Sequence, residues 1–166
     1  MKRESLKETS RMVVKFGTGI LTNRSKQIDP GQIEQLVAQV AGQRQAGREV
    51  VVVSSGAVGG GMGALGMTQR PADLSDLQAC AAVGQLKLMA AYSELFAKHD
   101  LQVAQVLLTH DDLEHRERHL NARNTLDALL KLGAVPLINE NDTVATDEIR
   151  FGDNDRLAAR VAAMIS

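Results

Sequence analysis

Four consecutive valines, Val50 to Val53, stand between the polar residues Glu49 and Ser54. A run this short does not make a helix. Its uniform apolar character leaves no face for solvent, so it reads as a central strand of a parallel sheet, buried on both sides. Parallel neighbours need crossover connections, usually helices, and the chain supplies them. Residues 12–16 form another short apolar, β-branched run that ends at Gly17. Asp29-Pro30 then reads as an N-cap with proline at the first helical position, and Ile33, Leu36, Val37 and Val40 mark one helical face before Gly47. Ser75 with Gln78 fits a capping box for a long helix carrying Leu77, Ala81, Leu88, Met89, Tyr92, Leu95 and Phe96 and ending near His99. Residues 103–108 and 135–138 read as two further strands, separated by a helix with Leu126, Leu129 and Leu130 that Gly133 closes. Pro136 is tolerable because it lies at the beginning of its strand. Val144-Ala145 with Ile149 and Phe151 suggests a small hairpin, and residues 156–165 a last helix. This alternation predicts an α/β three-layer sandwich with a mainly parallel sheet, in which ligands gather at the carboxyl ends of the strands.

With 166 residues, 44% of them hydrophobic and 23% charged, the chain can bury one core and is not a disordered polymer. Residues 1–10 read as a polar tail and 11–166 as one folded unit without linker, repeat or low-complexity segment. The formal net charge is −1, and Lys and Arg are scattered among acids, which argues against nucleic acid and anionic membranes as partners. The first residues hold no apolar segment of signal-peptide type and no run approaches a membrane span, so a cytoplasmic location is expected. Cys80, the single cysteine, sits among alanines and reads as a small buried thiol.

Three constellations fall at predicted strand ends. Lys15 precedes the turn Gly17-Thr18-Gly19. There an ammonium can reach the ligand crevice and backbone N–H groups can face an anion. Taken alone, it reads equally well as a lysine reaching solvent. Ser54-Ser55-Gly56-Ala57 opens a glycine cluster that would let a ligand oxygen approach backbone donors, or would be a flexible loop with no ligand. Within it, Gly61-Met62-Gly63-Ala64-Leu65-Gly66 matches the dinucleotide string but begins too far beyond the strand and lacks the acidic residue about 20 positions on. A Walker phosphate loop is absent. Asn139-Glu140-Asn141-Asp142 and Gly152-Asp153-Asn154-Asp155 fail the calcium-loop spacing. Either tetrad alone suits a solvated turn; together they suit the ammonium and carboxylate of an amino acid.

Val14-Lys15-Phe16-Gly17-Thr18, Val53-Ser54-Ser55-Gly56-Ala57, Ala81-Ala82-Val83-Gly84-Gln85, Leu107-Leu108-Thr109, Leu120-Asn121-Ala122-Arg123 and the two tetrads resemble, in order, the glutamate 5-kinases of proline biosynthesis, which have the amino acid kinase fold. The resemblance runs from about Arg11 to Ser166. It implies ATP and Mg²⁺ as cofactors, L-glutamate as acceptor, proline as feedback inhibitor and a homo-oligomer. It further implies that Lys15 contacts the transferring phosphoryl group, with Gly17 and Thr18 on the nucleotide side. By the same resemblance Ser55, Gly56 and Ala57 line the acceptor site, Asp142 and Asn154 hold glutamate, Asn139 is a further substrate-binding residue, and Asp153 and Asp155 support the pocket, with Asp155 orienting lysine ammoniums. Phe16 stands where the family usually has Leu, and Gly19 where Ser or Ala is common, which bears on packing more than on chemistry. In the family the chain continues into strands and helices that bind ATP and supply a second catalytic lysine, so the 166 residues are expected to carry the acceptor-binding lobe and to be inactive alone. Another kinase of this fold, acting on acetylglutamate, aspartate or carbamate, is an alternative, as is an amino-acid-binding module without catalysis.

Overall fold

A computed structural model describes residues 8–23, 28–146 and 154–166. The chain runs through β1 (Arg11–Phe16), α1 (Thr18–Leu21), α2 (Pro30–Gln45), β2 (Glu49–Ser54), α3 (Ala57–Ala64), α4 (Leu74–Ala97), β3 (Val103–Leu108), α5 (His110–Glu114), α6 (Arg116–Lys131), β4 (Val135–Glu140) and α7 (Asp155–Met164). The strands form one parallel sheet in the order β1-β2-β4-β3.

The valine run is an interior strand, and all four of its side chains are fully buried. Their alternation divides the core. Val50 and Val52 join Val135 and Leu137 in packing against Ile33 and Val37 of α2 and Leu88, Tyr92 and Phe96 of α4. Val51 and Val53 join Ile138 in packing against Leu126 and Leu130 of α6 and Leu157 and Val161 of α7. A sheet covered on both faces is the three-layer α/β sandwich that the strand pattern predicts. Pairing between β2 and β4 begins at Leu137, one residue after Pro136, so the missing N–H falls before that ladder starts. Among the described residues, no helix is long and apolar enough to cross a membrane.

The local capping signals are obeyed in part. Asp29 caps α2 by accepting from the N–H groups of Gly31 and Gln32, with Pro30 in the first turn. The capping box expected at Ser75 and Gln78 is not formed; α4 starts at Leu74 after Asp73, and Gln78 Nε2 instead donates to the carbonyl of Ala145 at 3.0 Å. A reciprocal capping box does occur at Thr109 and Asp112. The hairpin expected between Val144 and Phe151 falls largely outside the described residues.

The glycine cluster departs most from expectation. Residues 57–64 form a helix, although four of the eight are glycine, each of which disfavours a helix by about 1 kcal/mol relative to alanine. The reason is the crossing of α3 over α4. A Cβ on Gly61 would collide with the carbonyl of Cys80, and a Cβ on Gly84 with the carbonyl of Ala57. Only backbone fits at this crossing, so the glycines serve close approach. Gly56, with φ 97°, makes the left-handed turn from β2 into α3.

Gly84→Ala is expected to lower stability by about 3 kcal/mol or more, because neither helix backbone can yield without losing the other. Gly42→Ala, on an open face of α2 where an added Cβ meets nothing, should instead raise it by about 0.5–1 kcal/mol. Urea unfolding of both variants checks the pair; equal effects would contradict a backbone-to-backbone crossing of α3 and α4.

Candidate active site

The carboxyl ends of β1 and β2 are joined by Ser55 N–H donating to the Phe16 carbonyl at 3.0 Å. Beside them, at the end of β4, lies a cavity of about 300 Å³ lined by Thr18 and Thr22 of α1 and its cap, by residues 55–59 and Met62, and by Arg70, Asn139, Asp142 and Asn154. Seven of the residues picked out in the sequence therefore meet at one place: Thr18, Ser55, Gly56, Ala57, Asn139, Asp142 and Asn154. Lys15, Gly17 and Asp155 do not line this cavity but flank it. Lys15 Nζ and Asp155 Oδ1 are 2.7 Å apart, and a Cβ on Gly17 would sit 3.4 Å from Lys15 Nζ, so the ammonium lies against the turn that leads into Thr18. Asp153 lies outside the described residues.

The cavity wall is built from buried polar groups. Asn154 Nδ2 donates to the Ser54 carbonyl at 2.6 Å and to Asn139 Oδ1 at 2.7 Å, which uses both N–H bonds of its amide and leaves its oxygen as the group for a ligand. Asn139 Nδ2 donates to Gln85 Oε1 at 2.7 Å. Behind them, Ser54 Oγ and the Tyr92 hydroxyl are 3.1 Å apart. Ser55 is 4% exposed, and its Oγ has no hydrogen-bond partner among the described residues. Leaving a buried hydroxyl unpaired costs about 1–3 kcal/mol, which a ligand oxygen in the cavity would recover.

Electrostatics give the site two signs. Asp142 sits in the turn after β4, and burial pushes its carboxyl up to about 6, opposed by the nearby Arg70 guanidinium. A carboxylate made costly by desolvation is one that gains from meeting a cation. Arg70 supplies positive charge on the same cavity. Among the described residues, no group of three or more His, Cys, Asp or Glu side chains is placed to hold a metal ion.

Two contributors escape a reading of the sequence. Arg70 lies in the connection between α3 and α4, where no periodicity marks it. Gln85 ends the stretch Ala81-Ala82-Val83-Gly84-Gln85 that carries part of the resemblance, yet the resemblance implies no role for it; a polar residue between Ala81 and Leu88 on the buried face of α4 is the available signal.

A fold of this topology with paired acid and amide groups at its strand ends defines a class. Residues 10–166 match the amino acid kinase family model, and the chain belongs to that family. It is 52% identical over 163 residues to a glutamate 5-kinase of Azoarcus sp. (strain BH72), covering 98% of this chain and 44% of the relative. It is 54% identical over 165 residues to that of Geobacter sp. (strain M21), covering 99% and 44%. With the glutamate 5-kinase of Thioalkalivibrio sulfidiphilus it shares 56% over 159 residues, covering 96% and 42%. The chain thus spans less than half the length of these relatives.

The raised carboxyl of Asp142 carries a stability signature. Native Asp142 keeps its proton to a pH near 6, whereas an unfolded aspartate loses it near about 3.9. Between these values the native state binds more protons, so stability falls as pH rises through that window. Asp142→Asn removes this loss and should gain on the wild type as pH rises from about 4 to about 7. Urea unfolding at both pH values measures it, and a pH-independent difference would contradict the assignment.

Proposed function

We propose that the protein phosphorylates the side-chain carboxylate of L-glutamate with ATP, giving glutamyl 5-phosphate, and that this chain carries the glutamate site. The observation that carries the reading is the cavity on which Asp142 and Arg70 present opposite charges, flanked by the Lys15 ammonium. An amino acid with a free ammonium and carboxylate matches that pair. Asp142 and the Asn154 oxygen would take the ammonium, Arg70 the α-carboxylate, and Ser55 Oγ with the Gly56-Ala57 turn would receive the far end of the side chain. High identity to glutamate 5-kinases supports glutamate over other amino acids.

The reacting carboxylate is ionised at neutral pH, with an ordinary pKa of about 4.3, so no general base is needed. The task is to bring two anions together. Lys15 would lower the repulsion as charge develops on the phosphoryl oxygens, and Asp155 would hold its ammonium in place. Gly17 and Thr18 offer a turn on the same side. When bound, ATP supplies the phosphoryl group, with Mg²⁺ carried on its phosphates. An acetylated amine, or carbamate, would leave Asp142 without a cation, which weighs against those acceptors. Inhibition by proline, self-association and a cytoplasmic location belong to the same proposal and rest on the resemblance to glutamate 5-kinases. Proline shares the ammonium and carboxylate, so it would compete for Asp142 and Arg70.

Steady-state kinetics on the protein at the full length of its relatives test the reading. Asp142→Asn should raise the glutamate KM about tenfold or more, the loss of one hydrogen bond between charged groups, and weaken proline in parallel. Lys15→Ala should lower kcat about 100-fold with a small change in glutamate KM. Normal glutamate KM and proline inhibition in Asp142→Asn would defeat the site assignment, and a raised KM with unchanged kcat in Lys15→Ala would move that lysine into the acceptor pocket.

A further inference from the structure

Asn154, Asn139 and Gln85 place three side-chain amides in series. A carboxamide has one acceptor oxygen and an NH₂ with two donors, so a buried series is oriented by its ends. The Ser54 carbonyl can only accept, and Asn154 therefore turns its NH₂ toward it, at 2.6 Å. The second N–H of that amide goes to Asn139 Oδ1 at 2.7 Å, which also takes the Glu140 N–H at 2.9 Å. Asn139 must turn its own NH₂ the other way, where Gln85 Oε1 receives it at 2.7 Å. Gln85 is 9% exposed and stands outside the cavity, while Asn139 and Asn154 line it. The far end of the series, Gln85 Nε2, has no partner among the described residues, so the oxygen is the half of this side chain that the series uses.

We propose that Gln85 is a positioning residue that orients Asn139 and thereby secures the second hydrogen bond of the Asn154 amide, whose direction the Ser54 carbonyl sets, so that the site holds an oxygen toward the substrate ammonium. The reference to an ammonium rests on the functional reading above; the amide series does not. Without an acceptor at position 85, the Asn139 NH₂ is buried and unpaired. Rotating that amide relieves it only by setting its donors against those of Asn154 and the Glu140 N–H. The rotated form releases Asn154 on one side, and an Asn139 amide exchanging between the two forms blurs the polarity of the cavity wall.

Two variants separate the roles of the two halves of Gln85. Gln85→Met keeps length and volume but has no strong acceptor, and Gln85→Glu keeps an acceptor while deleting the unpartnered donor. A first readout needs no ligand: hydrogen exchange of the Asn154 side-chain amide protons by NMR. Gln85→Met should speed it about tenfold, and Gln85→Glu should leave it within about twofold of wild type. The second readout is the ratio of glutamate to glutarate affinity, since glutarate lacks the ammonium. Gln85→Met should lower that ratio about tenfold by weakening glutamate alone, and the effect should vanish in an Asn154→Ala background. Unchanged exchange in Gln85→Met, or equal weakening of both ligands, overturns the proposal. If Gln85→Met does not fold, Gln85→Glu decides, and lost protection or lost preference there overturns it equally. Exchange that behaves as stated in a wild-type protein that fails to bind glutamate would sustain the amide series and sink the functional reading instead.

Discussion

The Asn154 side chain holds the site together. Its amide reaches back 100 positions to the Ser54 carbonyl and 15 to Asn139, and both bonds are buried. They fix the N-terminal end of α7 against the ends of β2 and β4, and through α7 they set Asp155 beside Lys15. A buried amide with both donors satisfied costs little, whereas one left unpaired costs about 1–3 kcal/mol. These bonds help seat the last helix at the sheet, where Leu157 and Val161 fill the core.

Around this anchor the molecule tolerates several locally unfavourable features, and they converge on the cavity. The Asp142 carboxyl is pushed up by burial. Ser55 Oγ is buried without a partner among the described residues. The wall beside Ser55 begins a helix half made of glycine, set close against the Cys80 and Gly84 backbone. Each feature is a cost to the folded state that a ligand or a close backbone approach relieves. The double-sided core around Val50 to Val53 offsets them.

Much of the fold is legible in the sequence because its strongest signals are local. A run of valines between polar residues has one comfortable place in a protein, and the β1 and β3 segments follow the same logic. The candidate residues after β1, β2 and β4 can be named because parallel topology brings strand ends together whatever lies between them. What stays hidden depends on tertiary contact. The glycines after Gly56 read as a loop because their helix exists only against α4. Gln78 reads as a cap, yet its amide is used by the Ala145 carbonyl. Arg70 has no pattern of its own, and its place opposite Asp142 follows from how the connection before α4 folds over the cavity. Gln85 carries a faint signal, a polar residue in a buried stripe, but only Asn139 gives it meaning.

If Asp142 is the group that receives the substrate ammonium, binding must return its carboxyl toward the ordinary range, because the cation favours the charged form. Proton linkage reports this directly. Calorimetric titration of glutamate at about pH 6, repeated in buffers of different ionisation enthalpy, counts the protons exchanged on binding. About half a proton should leave the protein per glutamate bound there, falling to none near about pH 8. Asp142→Asn should abolish the release. Glutamate binding with no proton release at pH 6 in the wild-type protein would contradict the assignment of Asp142 as the ammonium's partner.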